Sequence, residues 1–444
     1  MKYKLFTSFI LSALAVGAFA QQQGSVTTPV SLTANQKNET IDSIITTINN
    51  RYVFKDVAKK IEIYLRGRQS KNAYGKITNG AEFAQTLTTD LQTAGNDKHL
   101  RAGYFAEELP VEKERELMSI PAEERDGLSN MLQHTNYGIN KIDVLKGNIG
   151  YIDIGVFVSP EFAGDTYAAM MNYVAHTDAL IIDLRKCGGS MSPDAIPFIC
   201  SYFFESPVHL NDIYYRKGDK LTQSWTYAYV PGKKYLNKPI YVLTSGATFS
   251  GAEELAYDLQ NLKRATIIGQ TTGGGANPGG DIRINSHFRL FVPVGRAINP
   301  ITKTNWERVG VKPDIIMNTK LALFRAQQLA MESTIKTTNE QQWKDGLTWF
   351  LKELNDNQPK FKPLTFELKG FDKAKEVYVA GSFNDWSAQA TKLQRVGNKW
   401  IANTESEPGK ITYKFIVDGQ WITDPDNNQT QVNGPNTDSV KILE

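Results

Sequence analysis

From Tyr241 to Leu255 the chain reads as an apolar strand, a turn of small residues and the start of an amphipathic helix, with Ser250 at the joint. Ala252, Leu255, Ala256 and Leu259 recur at the three- and four-residue spacing of a buried helix face. A hydroxyl at that joint lies beside backbone N–H groups left free by the helix start and beside the positive end of the helix dipole, a setting that stabilises an oxyanion during acyl transfer. The same residues allow a second reading, in which Ser250 and Glu253 form a capping box and no chemistry is needed. The segment from Ile181 to Ser190 adds a buried-type strand that runs into Gly188 and Gly189. Glycines at a strand end let backbone N–H groups approach a substrate oxygen, though a plain turn would use them equally well.

Other chemistries find little support. Cys187 and Cys200 are the only cysteines, and with the five histidines (His99, His134, His176, His209 and His287) they show no CxxC or HExxH spacing, so no metal is expected. Whether the two cysteines pair is left open by their spacing. The glycine-rich stretch from Gly273 to Gly280 lacks the Gly-Lys-Ser/Thr ending that grips phosphate, which assigns it to loop geometry near the site, and no cofactor is expected.

The elements that must position these residues follow from the wider pattern. Lys2 and Lys4 precede an apolar stretch from Leu5 to Phe19 that ends in Ala18-Phe19-Ala20, the pattern of a secretory signal peptide over residues 1–20. A periplasmic or extracellular product is therefore expected, with no membrane span once the signal is removed. At 444 residues, with 41% apolar and 22% charged residues, the chain has the length and composition of two or three globular domains. A net charge of +3 leaves no basic footprint for nucleic acid. Ile41, Ile44, Ile45 and Ile48, then Ala81, Ala84, Leu87 and Leu91, give a helical N-terminal region over residues 38–100. Residues 101–320 alternate short apolar runs (149–158, 179–184, 239–243, 266–269, 290–294) with amphipathic helices, predicting an α/β core. Residues 321–363 read as a helix, on which Trp343, Leu347, Phe350, Leu351 and Leu354 share a face, and then a linker over 357–363. Short β-rich runs at 376–380, 400–402, 411–417 and 439–443 predict a small antiparallel sandwich over residues 364–444.

Taken together, the strand ending in Gly188-Gly189 and the Gly246…Ser250…Glu253 segment resemble the tail-specific, or C-terminal processing, serine peptidases. The resemblance runs from about Asn38 to Asp314. It implies a ClpP/crotonase-like core and peptide or protein substrates. In the lysine-dependent branch of that family the base falls in a loop matched here by Gly269 to Gly275, where Gly275 stands in the lysine's place. The tricorn branch, and the modules that resemble interphotoreceptor retinoid-binding protein, carry instead a D-x-H turn and an acid before a G-V-x-P-D segment. Asp97-Lys98-His99 and Glu307 before Gly310-Val311-Lys312-Pro313-Asp314 match both. The resemblance thus implies Ser250 as nucleophile, His99 as base and Glu307 as its orienter, with N–H groups of Gly251 and of Gly188 or Gly189 as the oxyanion hole. Two departures stand out: Lys98 replaces the tricorn branch's serine before the histidine, leaving the assisting role unassigned, and Arg101 to Gly147 is too short for a PDZ module. A noncatalytic ligand-binding protein on the same fold is the rival reading.

Residues from about Phe366 onward are similar to the glycogen-binding modules of starch-branching enzymes and of the AMP-activated kinase β subunit, of immunoglobulin-like sandwich fold. Val379 to Trp386 and Tyr413 to Pro425 carry the likeness. It implies an α-glucan partner held by Trp386, Trp421 and Lys414, with Asn436 the nearby asparagine, although strict alignment puts Asp438 in that place. A purely structural sandwich, or a protein whose main role is carbohydrate binding, are the alternatives for this region.

Overall fold

The computed structural model describes residues 31–111, 122–384, 386–388, 390–434 and 436–444, so the signal-peptide reading of residues 1–20 lies outside the described residues. No helix among the described residues is long and apolar enough to cross a membrane. The chain divides into two compact units, one ending at Ile316 and the other beginning at Met317.

In the first unit, a six-stranded sheet runs in the order Ile315–Ile316, Thr266–Gly269, Ile240–Thr244, Ala179–Asp183, Ile149–Ile154 and Ile139–Leu145. All its pairings are parallel except the last, an antiparallel hairpin at one edge. Strands Ala179–Asp183 and Ile240–Thr244 are buried at every position, as central strands covered on both faces must be. The helices Pro160–Val174 and Gly251–Asn261 supply much of that cover through Tyr167, Met170, Met171, Ala252, Leu255 and Leu259. The α/β expectation therefore holds. Cys187 and Cys200 are free and buried in this core.

The N-terminal helices Ala34–Arg51, Lys55–Ser70 and Gly80–Gly95 do not form a separate core. Ile41, Ile44, Phe83 and Leu87 pack in one cluster with Phe288, Leu290 and Val292 of the late strand Phe288–Pro293. That strand sits between Arg101–Tyr104 and Gly279–Arg283 in a small antiparallel sheet. The pairing of Arg101 with Phe291 places His99, just ahead of the first strand, within reach of Ser250, some 150 residues later in sequence.

The second unit opens with helices Thr319–Thr337 and Gln341–Asp356. Two antiparallel sheets follow, enclosing one core of Leu364, Phe366, Leu368, Val377, Val379, Phe383, Trp400, Tyr413 and Phe415. The linker expected over 357–363 is shorter than read: Lys362–Lys369 is an edge strand, with Pro363 opposite Glu405. Proline near the first position of an edge strand loses no interior ladder bond, so the residue that suggested a break is compatible with the sheet.

Candidate active site

Ser250 occupies the turn between strand Ile240–Thr244 and helix Gly251–Asn261, at φ +54° and ψ −123°. For a residue with a Cβ that backbone is strained, and three hydrogen bonds to one segment hold the turn down. Ser245 Oγ donates to Arg185 O at 2.5 Å, Thr248 Oγ1 to Leu184 O at 2.7 Å and Phe249 N to Cys187 O at 3.1 Å. Strand Ala179–Asp183 and its extension thus fix the Ser250 turn. This strand–turn–helix corner, with a serine at its tip, is the local geometry that exposes a nucleophile.

Both readings of Ser250 meet here. The capping-box geometry is present, with Ser250 N donating to Glu253 Oε2 at 2.8 Å, while Ser250 Oγ lies 3.2 Å from His99 Nε2. His99 is buried, its ring between those of Phe249 (4.6 Å) and Phe291 (5.7 Å). Its other nitrogen, Nδ1, lies 3.7 Å from Asp97 Oδ1. Glu307 is close as well, with a carboxylate oxygen within 4.8 Å of both the His99 and Asp97 ligand atoms. No hydrogen bond joins Glu307 to His99; Glu307 Oε2 instead accepts from Ala276 N at 2.7 Å. The backbone of residues 306–308 runs along the glycine loop, with Trp306 Nε1 donating to Gly275 O (2.8 Å) and Arg308 N to Gly274 O (2.9 Å).

The two carboxyl groups near Nδ1 differ in charge state. Burial raises the Asp97 carboxyl, but the imidazole and amide of His99 and the amide of Asn277 outweigh it and hold Asp97 below its ordinary value. Glu307 is pushed up to about 8 by burial and by the charge on Asp97, against the pull of Ala276 N–H and Arg308. Asp97 is the nearer and the ionised one at neutral pH. The sequence named it only as the first residue of the D-x-H turn; that it faces the histidine depends on the turn's folding back, with His99 N donating to Asp97 Oδ1 at 2.9 Å.

Glu253 was also missed as more than a cap. Its buried carboxylate accepts from Ser250 N, Thr272 Oγ1 (2.5 Å), Gly274 N (2.7 Å) and Gly275 N (2.8 Å). One side chain thereby ties the glycine loop to the Ser250 turn, and burial, which outweighs these four donors, pushes its carboxyl up to about 7. Gly275, in the place of the family lysine, has no room for a side chain: a Cβ there would lie 2.3 Å from Phe249 Cζ and 2.6 Å from His99 Cε1. The histidine ring occupies the space a residue at 275 would need. Lys98 points its amine at Gly273 O (2.7 Å), and burial holds that amine below its ordinary range against the raising charges of Glu253 and Glu307.

Of the two strand-end glycines, Gly189 is the one against Ser250. A Cβ on it would lie 2.9 Å from Ser250 Cβ, and its φ of +129° favours glycine. Gly188 is corrected as an oxyanion donor, because its N–H is spent on Gly155 O at 3.2 Å. The N–H groups of Gly189 and Gly251 donate to no acceptor among the described residues.

In the second unit, Lys414 and Ile416 point to the same outer face of strand Gly409–Val417, since Tyr413 and Phe415 point into the core. Trp421 lies opposite Ile416 and is 45% exposed, and the Trp386 ring stands 6.4 Å from it at 34°. Lys414 is 3.8 Å from the buried Asp438, which neutralises it, whereas Asn436 is exposed at the start of the last strand.

Comparison with known proteins agrees region by region. Residues 362–441 match the glycogen recognition site of AMP-activated protein kinase. The chain is 43% identical over 74 residues to the AMP-activated protein kinase subunit beta-1 of Bos taurus and of Homo sapiens, covering 16% of this chain and 26% of each subunit. It therefore spans about a quarter of the length of those curated relatives. Among solved structures, mature CPAF is 12% identical over 72% of this chain and 98% of its own (TM-score 0.45). A lipoprotein from Streptococcus agalactiae is 14% identical over 70% and 99% (0.43), and the photosystem II D1 C-terminal processing protease 15% identical over 65% and 95% (0.39). Residues 148–317 match the profile of peptidase family S41, and residues 28–145 match the N-terminal domain that this family has in eukaryotic interphotoreceptor retinoid-binding protein. With both of these regions accounted for, the chain belongs to peptidase family S41 and carries a glycogen-recognition module at its C-terminal end.

Proposed function

We propose that this protein is an exported serine endopeptidase that works through Ser250 and His99, with an accessory α-glucan-binding module. The contact that carries the reading is Ser250 Oγ to His99 Nε2 at 3.2 Å, at the tip of a strained strand–helix turn. His99 Nε2 takes the hydroxyl proton as Oγ attacks a peptide carbonyl, and the N–H groups of Gly189 and Gly251 receive the developing oxyanion. The imidazolium that forms keeps its Nδ1–H toward Asp97 and Glu307. Of these, ionised Asp97 supplies the compensating charge, and Glu307 joins it in holding the ring. His99 then returns the proton to the leaving amine, and water hydrolyses the acyl-enzyme. A ClpP/crotonase-like core and an immunoglobulin-like sandwich go with this reading. Export rests on the Lys2/Lys4 and Leu5 to Phe19 pattern.

A fluorophosphonate probe tests the central step. The folded protein is expected to be labelled at Ser250, located by peptide mass spectrometry, with all labelling lost in Ser250→Ala. A folded protein that takes up no probe and cleaves nothing in a broad peptide library is a noncatalytic member of its family.

A further inference from the structure

Two side chains of one turn and a third some 200 residues later in sequence bring donor atoms to one place inside the first unit. Asp97, His99 and Glu307 each present a ligand-type atom within 4.8 Å of the other two. Two buried atoms of this group, His99 Nδ1 and Glu307 Oε1, have no hydrogen-bond partner among the described residues. The His99 side chain is only 5% exposed, and its Nδ1 stands 3.7 Å from Asp97 Oδ1, beyond hydrogen-bond length. That spacing is near the distance of about 3.4 Å between two ligand atoms held tetrahedrally at roughly 2.0–2.2 Å from one ion.

We propose that Asp97, His99 and Glu307 form a binding site for a divalent transition-metal ion of the Zn²⁺ class, and that an ion bound there switches the Ser250–His99 pair off. One imidazole nitrogen with two carboxylates is a donor set for such ions, and it would satisfy the orphaned Nδ1 and Oε1 together. A cavity of about 320 Å³, lined by Phe54, Asp56, Val57, Glu307 and Arg308, meets the group at Glu307. The nearby cations are held elsewhere: Arg308 donates to Asn96 O (2.9 Å) and Gly95 O (3.3 Å), and Lys98 to Gly273 O (2.7 Å).

The off-switch follows from the tautomer. A neutral imidazole carries one proton, and a metal ion on Nδ1 needs the lone pair of that nitrogen, so the proton moves from Nδ1 to Nε2. Nε2 then faces Ser250 Oγ as a donor and has no lone pair for the serine proton. Nothing covalent changes at Ser250, and a chelator reverses the effect.

The binding half of the proposal does not rest on peptidase activity; the inhibitory half does. Full-length Ser250→Ala protein, stripped of metal, is titrated with ZnCl₂ by calorimetry, alone and with Asp97→Asn or Glu307→Gln added, circular dichroism confirming that each is folded. One ion per chain is expected, with affinity falling roughly 10–100-fold or more in either carboxylate variant. With Ser250 intact, Zn²⁺ should slow fluorophosphonate labelling and EDTA should restore it. Absence of stoichiometric binding to the folded chain, or undiminished binding in both variants, overturns the site. Labelling at an unchanged rate with the ion bound overturns the switch. A protein that is never labelled contradicts the peptidase reading, and calorimetry still decides the metal site.

Discussion

The Ser250 site and the Trp386–Trp421 face are built on opposite plans. At the first, residues from four separate stretches (97–99, 250–253, 272–276 and 306–308) are interlocked by hydrogen bonds, with Glu253 alone accepting four, and Gly189 packs against Ser250. At the second, two rings and an amine lie on a sheet face, partly open to solvent, with one ion pair beneath. An interlocked site fails as a unit when one member goes, because the members act together on the same atoms. A face that binds by stacking loses affinity ring by ring. The difference teaches where to expect cliffs and where slopes.

The steepest expected fall is at the interlocked site. Ser250→Ala and His99→Ala should each lower turnover by roughly 10⁴–10⁶-fold, and the double variant should fall hardly further. Probe-labelling rates and steady-state cleavage of whatever peptide the library identifies would measure it. If the two losses simply multiply, Ser250 and His99 do not act on one proton and the contrast with the tryptophan face breaks.

Behind Ser250, helix Gly251–Asn261 carries Glu254 and Asp258 one turn apart, both contacted by Asn211 Nδ2 (3.3 Å to Glu254, 3.1 Å to Asp258). Burial pushes Glu254 up to about 7 and raises Asp258, which the neighbouring Glu254 charge raises further. A carboxyl whose folded value exceeds its unfolded one stabilises the fold fully below the unfolded value of 4.5, and that contribution is lost as pH rises to about 7. At about 1.4 kcal/mol per unit, Glu254 alone accounts for on the order of 3 kcal/mol. Thermal or urea unfolding should therefore show stability declining from pH 5 to 8, and Glu254→Gln should flatten that decline by mimicking the protonated form. An unchanged slope in Glu254→Gln would mean that protonation of Glu254 does not contribute to the stability of this helix.

Gly275→Ala probes how tightly the histidine is seated. The new Cβ would meet Phe249 and His99 ring atoms at 2.3–2.6 Å, so overpacking of about 1–3 kcal/mol is expected, together with a drop in labelling rate as His99 shifts. Gly275→Lys should be no better, which separates this site from a Ser–Lys arrangement. Recovery of activity in the lysine variant would show that the loop opens and that the histidine is dispensable.

How far this was legible in the sequence depends on how local each signal is. Ser250 could be read because strand, small-residue turn and helix follow one another within fifteen residues. The α/β alternation is likewise local, and the central strands fall within a residue or two of their apolar runs. His99 and Glu307 became candidates only through the family resemblance, since nothing near either one in sequence shows what it faces. Asp97 against the imidazole, Glu253 binding the glycine loop and Phe249 filling the place above Gly275 depend on loops that meet only in the folded chain. Gly188 illustrates the converse: two adjacent glycines look alike in sequence, and only the bond to Gly155 O separates them. In the second unit the strand over 362–369 was obscured by Pro363, which an edge position tolerates.

The tryptophan face carries the smallest expected effect. Its rings are 6.4 Å apart and tilted by 34°, enough to form a continuous apolar platform for the C–H faces of adjacent sugars, with Lys414 on the same side of the sheet. Removing one stacked ring typically costs about 1–3 kcal/mol in comparable planar stacking, so Trp386→Ala and Trp421→Ala should each weaken maltoheptaose binding by roughly tenfold or more. Intrinsic fluorescence of the full-length protein, titrated with the oligosaccharide, would read it. The double variant tests whether the rings act on one ligand together: separate stacking contacts should sum to within a few tenths of a kcal/mol, whereas a shared clamp should not. Lys414→Ala should cost less than either ring, since its charge is already matched by Asp438 at 3.8 Å. A folded protein that ignores millimolar maltooligosaccharide would leave this face a structural one, and the slope expected here would have no ligand to act on.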